Sequence, residues 1–375
     1  MDRRGFIKTS LTASAASIWL QQMTPPGWLF GKSPKKILVL GGTSFLGPAV
    51  VEAAVVAGHR VTLFNRGITN PVLFPTLEKL HGFRSPDPAD ENFTALGQRR
   101  WDVVVDVWPS DPSVVERAAR MLGDRTIHYL YVSSIAAYDP KGFAQPHLTE
   151  NAPLNPWDPS IRPYNRGKAE SERRLHTLVG DRLTVVRPGP IKGDRDTTPD
   201  LLAWLRRAQT GTTHIGPGSG EDHVQLVDVK DVARFLVLAI DQSLYGTFNL
   251  TGTPMSFRDF LARCAAAARS SSEFVWIPQD FLHQQGLDPD PSYLGKFPFW
   301  HPEPERRGFF QISSQKAFDA GWTQRPFTET ALEYLWFFDQ LDPTVWQWTD
   351  ELSAQVEASA LAAWRKSKPD SITGH

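Results

Sequence analysis

The sequence predicts an α/β protein built on a doubly wound parallel sheet. Three observations carry that expectation. Short apolar, strand-like runs alternate with helical patterns from residue 36 onward. The first run, Lys36 to Leu40, passes directly into a glycine turn, Gly41-Gly42-Thr43-Ser44-Phe45-Leu46-Gly47, and then into a helical pattern. A later run ends at Ser133-Ser134 and is followed by Tyr164 and Lys168, four apart and so on one face of a helix.

Composition narrows the class. The chain has 375 residues, 41% hydrophobic and 22% charged, enough for one large domain or two. A formal net charge of −1 argues against nucleic acid as the partner. The single cysteine, Cys264, cannot form an internal disulfide and is expected as a small core residue on a helix. The ten His residues form no pair at metal-ligand spacing, so no metal is expected. Six of the thirteen Trp lie after residue 299, which points to a late aromatic core or pocket wall.

Residues 1–33 are expected to lie outside the fold. Arg3-Arg4-Gly5-Phe6-Ile7-Lys8 resembles a twin-arginine export signal. The apolar run from Leu11 to Leu20 is too short for a stable membrane span and suits the apolar region of a signal peptide. Residues 21–34 read as a linker. A periplasmic or extracytoplasmic destination follows, with no membrane span unless the signal is retained as an anchor.

The first strand, Lys36 to Leu40, is apolar after its first residue, as a strand buried on both faces should be. Gly41 permits the tight turn that follows. The free N–H groups of the next helix, expected from Pro48 to Ala57, point at a pyrophosphate, and Gly47 lets that helix pack closely on the strand. Ser44 stands where a middle glycine is expected and brings a hydroxyl towards the phosphates. The second strand, Arg60 to Phe64, ends in Asn65-Arg66-Gly67. An acid there would bind the ribose 2′-hydroxyl of NAD. Arg66 suits a 2′-phosphate instead, or is a solvated loop charge, so the cofactor is NAD or NADP.

Further strands are expected from Trp101 to Val107, ending near Trp108, from Ile127 to Val132, and from Leu183 to Arg187, ending in Pro188-Gly189. Ligands bind at the carboxyl ends of such strands, and Gly41, Asn65, Trp108, Ser134 and Pro188 all fall there. A lysine ammonium close to a phenol favours the phenolate, so Lys168 is expected to lower the pKa of Tyr164 from about 10. Such a Tyr exchanges protons with a substrate oxygen near neutral pH. Asp228 and Asp231 precede a helical run from Val232 to Ile240 and read as its N-terminal cap and first-turn charge.

These pieces, in this order, resemble the short-chain dehydrogenase/reductase superfamily in its extended or atypical NAD-dependent epimerase/dehydratase branch. The resemblance covers residues about 35 to 340. It rests on Gly41-x-x-Ser-x-x-Gly47, Ser133-Ser134-Ile-Ala-Ala-Tyr138, and Tyr164-x-x-x-Lys168 with Glu172. It continues in Arg187-Pro-Gly-Pro-Ile-Lys-Gly193, Val224 to Asp231 and Gly246 to Gly252. It implies a Rossmann-like fold, with Tyr164 as the acid/base. Lys168 would lower the Tyr164 pKa and bind the nicotinamide ribose, and Ser134 would hold the substrate oxygen, with Ser133 the runner-up. Gly41, Gly42, Ser44, Phe45, Leu46 and Gly47 would meet the pyrophosphate. Asn65 and Arg66 would lie by the adenosine ribose, Trp108 at the cofactor edge, and Pro188 and Gly189 near the nicotinamide. Two residues depart from the family pattern: Ser44 replaces a glycine, and Phe83 stands where an acid often touches adenine.

The resemblance divides the chain into a dinucleotide-binding domain, residues 34–193 plus 223–253, and a smaller C-terminal substrate-binding region, residues 194–222 plus 254–340. In the second, helices are expected from Leu201 to Gln209 and from Phe257 to Ala267. Phe297-Pro298-Phe299-Trp300-His301-Pro302 is an aromatic stretch suited either to stacking on a sugar or to packing. Arg306 and Arg307 could meet an anionic substrate or face solvent. Residues 341–375 read as a helical tail that covers the body or forms a homo-oligomer contact.

Export sharpens the expected reaction. Outside the cytoplasm a reductase would exhaust its one bound cofactor, whereas a redox-neutral epimerase or dehydratase would not. The leading expectation is therefore an NAD(P)-dependent enzyme that retains its cofactor and acts on a hydroxyl-bearing small molecule, with a carbohydrate the first candidate. A ketone reductase or dehydrogenase is the second reading, and a dinucleotide-sensing or RNA-binding module the third.

Overall fold

Every residue of β1 (Lys36–Leu40) after Lys36 is buried, as a strand covered on both faces requires. The computed structural model describes residues 33–109, 111–158, 160–289, 295–341 and 352–368. The export motif at Arg3-Arg4 therefore lies outside the described residues. Lys35–His375 forms one compact unit.

After β1 come α1 (Leu46–Val56), β2 (Arg60–Asn65), β3 (Glu78–His81), β4 (Trp101–Asp106) and α2 (Pro112–Leu122). Then follow β5 (Thr126–Val132), α3 (Pro163–Val179), β6 (Leu183–Pro188) and β7 (Ile191–Lys192). Helix α1 starts two residues before the expected Pro48, because the turn at Thr43–Phe45 already brings Leu46 and Gly47 into helical register.

The order of the seven-stranded sheet is β11-β6-β5-β4-β1-β2-β3, where β11 is Gly246–Leu250, and every pairing in it is parallel. The order reverses between β1 and β4, the switch point at which such sheets bind ligands. Alternate residues of β1 serve opposite faces. Ile37 and Val39 join one apolar cluster with α1, and Leu38 and Leu40 join another with α2 and α3.

A third apolar cluster lies among the later elements. It is built from α4 (Asp200–Gln209), α6 (Phe257–Ala267) and α9 (Phe327–Gln340), beside the parallel pair β8 (Thr213–Pro217) and β13 (Glu273–Ile277). The remaining elements are the short pairs β7 with β10 (Val227–Asp228) and β9 (His223–Val224) with β12 (Met255–Ser256), and helices α5 (Val229–Gln242), α7 (Gln279–Gln284), α8 (Gln315–Asp319) and α10 (Ala354–Ser367). Cys264 is buried on α6.

Asp228 caps α5, accepting from the Lys230 N–H at 2.7 Å. The helix itself begins at Val229, three residues before the expected start, because the cap is Asp228 itself. In the tail, the described helix α10 docks on the body. One Glu357 oxygen accepts from the Ile215 N–H and the other lies 2.9 Å from His214 Nδ1. Trp346 and Trp348 lie outside the described residues. Among the described residues no helix is long and apolar enough to cross a membrane.

The aromatic stretch resolves as core. Phe297, Phe299 and Trp300 are almost fully buried. Trp300 Nε1 donates to Asp222 at 2.8 Å, and Trp204 Nε1 donates to the Pro298 carbonyl at 2.9 Å. Rings with their polar edges satisfied inside the protein stabilise it by burying apolar area rather than offering a stacking surface.

Candidate functional site at the carboxyl edge of the sheet

The glycine turn is shaped by backbone contact. Gly41 and Gly42 have φ of +124° and +96°, values that side chains disfavour. A Cβ on Gly47 would lie 2.6 Å from the Gly42 Cα, so only glycine lets the first turn of α1 cross the turn before it. The close approach is to the turn backbone, whereas the expectation placed it against the strand. A Cβ on Gly41 would lie 2.9 Å from Val107 Cγ2, which sets the turn against the end of β4.

Helix α1 has no side-chain cap at Phe45 and no acid in its first turn. Its leading N–H groups are thus left for an anion. Ser44 is exposed beside them. Asn65 Nδ2 donates to the Gly41 carbonyl at 3.3 Å, and Asn65 Oδ1 accepts from the Gly67 N–H at 2.8 Å, tying the end of β2 to the glycine turn. Arg66 is exposed, with its guanidinium 5.8 Å from the Phe83 ring centre. Phe83 thereby packs under Arg66.

The catalytic candidates gather two strands away. Lys168 is buried on α3 and its Nζ donates to the Val132 carbonyl at 2.6 Å and the Trp108 carbonyl at 2.9 Å. Its third proton is left to give. The Nζ lies 4.8 Å from the Tyr131 ring centre and 5.8 Å from that of Tyr164. Burial pulls the Lys168 pKa down to about 7, against the upward pull of Asp106 and Glu172, with Arg84 adding to the fall.

Tyr164 keeps 42% of its surface exposed. Packing around it raises its pKa above the ordinary value, opposed by a hydrogen bond with Ser134. The exposure limits that rise, because water screens it. The expected lowering by Lys168 is therefore not what the chain by itself shows. A buried amine at a pKa of about 7 carries only part of its charge near neutrality, and desolvation of the phenol outweighs it.

The two serines have different duties. Ser134 accepts from the Ala136 N–H at 3.1 Å and reaches Tyr164, so its hydroxyl faces the crevice. Ser133 is buried and donates to Glu172, which is also paired with Arg187 at 2.6 Å. Arg187 donates to the Glu150 carbonyl at 3.0 Å and stacks 4.6 Å from the Tyr138 ring centre. Ser133 thus belongs to a buried network under the site. Pro188 and Gly189 are buried at the end of β6, with the Gly189 N–H donating to the Leu250 carbonyl at 3.0 Å.

Sequence reasoning passed over Arg84 and Asp106. They form a buried bidentate pair at 2.8 and 2.9 Å below Trp108. An acid ending an apolar strand, as Asp106 ends β4, signals a buried partner, but not which cation supplies it.

The model of the NAD dependent epimerase/dehydratase family matches residues 37–250. The chain belongs to this family. It is 31% identical over 295 residues, 73% of each protein, to the chloroplast stem-loop binding protein of 41 kDa b of Arabidopsis thaliana. It shares its fold with the Bordetella bronchiseptica enzyme WbmH in complex with NAD+, at 19% identity and a TM-score of 0.60 over 82% of this chain and 99% of that one. It also shares it with Thermus thermophilus UDP-glucose 4-epimerase in complex with NAD, at 20% identity and a TM-score of 0.56 over 82% and 100%.

For a member of the epimerase/dehydratase family the cofactor is a nicotinamide dinucleotide, NAD or NADP. The Gly41–Gly47 cradle, closed to any side chain at Gly47, and the uncapped start of α1 fit its pyrophosphate. The site is carbonyl-lined and amine-bearing. Among the described residues no cluster of His, Cys, Asp and Glu is arranged to hold a metal.

Proposed function

We propose that this member of the family is a redox-neutral epimerase or dehydratase that retains its NAD or NADP and acts on a hydroxyl-bearing carbohydrate. The observation that carries this reading is the meeting of Ser134, Tyr164 and Lys168 beside the glycine cradle. A bound nicotinamide supplies a hydride acceptor and, later in the same turnover, a hydride donor. Ser134 holds the substrate oxygen once its hydroxyl turns from Tyr164 to the substrate. Tyr164, protonated near neutral pH, gives its proton to a ketone oxygen and recovers one from a hydroxyl when its phenolate is present. Lys168, in its protonated form, supplies a positive charge that favours that phenolate.

Arg3-Arg4 supports retention of the cofactor, because an exported enzyme has no cytoplasmic pool to reload it. Mass spectrometry of ligand released from the purified protein, with a screen of sugars for conversion, tests the reading. Bound dinucleotide and sugar conversion without added cofactor are expected. An empty protein that consumes added NADPH on ketones would overturn it in favour of a reductase.

A second reading is binding of folded RNA, favoured by the stem-loop binding for which the Arabidopsis relative is named. A net charge of −1 weighs against it. Stem-loop RNA binding that survives Tyr164→Phe, with no sugar turnover in either protein, would select it.

A further inference from the structure

We infer that the buried Arg84–Asp106 pair is a positioning device for Lys168, holding the Trp108 turn that carries the amine and placing a negative charge beneath it. This rests on the reading that Lys168 serves the chemistry of Tyr164.

The geometry forms one chain of contacts. Arg84 Nη1 and Nη2 donate to the two Asp106 oxygens at 2.8 and 2.9 Å, and both side chains are buried. Asp106 Oδ1 also accepts from the Trp108 N–H at 2.9 Å, and Asp106 Oδ2 from the Tyr129 hydroxyl at 2.8 Å. The Arg84 guanidinium lies 4.9 Å from the Trp108 ring centre. Trp108 is thus gripped by backbone and ring together, and its carbonyl is one of the two that hold Lys168 Nζ.

A buried ion pair seldom repays its desolvation as stability alone. This pair spans from the loop after β3 to the end of β4 and finishes on the backbone that orients the amine. The groups facing Lys168 are the carbonyls of Val132 and Trp108, the rings of Tyr131 and Tyr164, and the charges of Asp106, Glu172 and Arg84. Among those charges Asp106 acts most strongly and in favour of the cation, while Arg84 acts against it and more weakly. The pair is therefore not electrically neutral as Lys168 experiences it.

The test is a pH titration of Lys168 in the full chain by carbon NMR of lysine labelled at Cε, with the resonance assigned through Lys168→Met. In Asp106→Asn the amide oxygen still accepts from the Trp108 N–H, so the turn is kept while the charge is lost. Its Lys168 midpoint should fall by about one pH unit. In the double variant Arg84→Met with Asp106→Asn both charges are gone, and the midpoint should lie between Asp106→Asn and wild type. If Asp106→Asn fails to fold around an unpaired Arg84, the double variant carries the test alone, with a midpoint below wild type. A midpoint unchanged or raised in the double variant would overturn the inference, as would loss of stability in both variants with no movement of the titration. A wild-type protein without dinucleotide or turnover would refute the functional reading and leave this titration readable.

Discussion

Lys168 and Tyr164 share one face of α3, yet Lys168 Nζ lies 5.8 Å from the centre of the Tyr164 ring and gives two of its three protons to the carbonyls of Val132 and Trp108. The lysine is anchored to the sheet and the tyrosine faces the crevice. Ser134, not the amine, is the group that hydrogen-bonds the phenol.

Replacing Tyr164 by Phe removes the proton donor and leaves the glycine cradle untouched. Turnover should fall by roughly 100-fold to 10,000-fold, the usual worth of a positioned acid/base. Dinucleotide affinity, read by fluorescence titration, should stay within about two-fold, since Tyr164 contributes no cradle contact. Full turnover in the variant would remove Tyr164 from the mechanism.

The Lys168 pKa of about 7, below the ordinary 10.5, has a stability consequence with a definite sign. The unfolded chain holds this proton more tightly than the folded one. Between about pH 7 and about pH 10 the unfolded state therefore carries more protons, and stability rises with pH. Urea unfolding should show wild type gaining on Lys168→Met across that window. A constant difference would show that Lys168 titrates as an ordinary exposed lysine.

Gly47→Ala places a methyl 2.6 Å from the Gly42 Cα, against backbone that has no side chain to swing away. The turn must open. We expect a loss of about 1–3 kcal/mol in stability, as for overpacked sites. Dinucleotide affinity should drop at least about tenfold, because the N–H groups of the cradle lose their alignment. Unchanged affinity by calorimetry would place the pyrophosphate elsewhere.

The two serines should separate cleanly. Ser134→Ala loses the hydroxyl facing Tyr164 and should lower turnover, with about 1 kcal/mol or less lost from its cap on Ala136. Ser133→Ala removes a donor from buried Glu172 and should cost about 1–3 kcal/mol in thermal or urea unfolding. The reverse pattern would make Ser133 the residue at the substrate.

Much of this protein is legible in its sequence. The strand–turn–helix at Lys36 to Ala57 announces itself because a buried strand is apolar without interruption and its turn needs glycine. Helix α6 spans Phe257 to Ala267, the range the sequence suggests even though that segment carries little periodic signal. Asp228 was read as a cap because its side chain acts locally, on an N–H two residues away. The aromatic stretch at Phe297 was ambiguous for the opposite reason: whether a ring faces a ligand or a core depends on what the chain folds over it.

By itself, then, the sequence determined the parallel sheet, the glycine cradle and the candidacy of Tyr164 and Lys168, which rest on local periodicity and spacing, while its resemblance to the family put forward Ser134. Tertiary structure decided which serine meets Tyr164, that Phe297, Phe299 and Trp300 are core, and that Arg84 and Asp106 pair beneath Trp108. It also decided the charge state of the site. Burial and neighbouring charges set a pKa, and both are properties of residues far apart in the chain that meet only when the sheet is assembled.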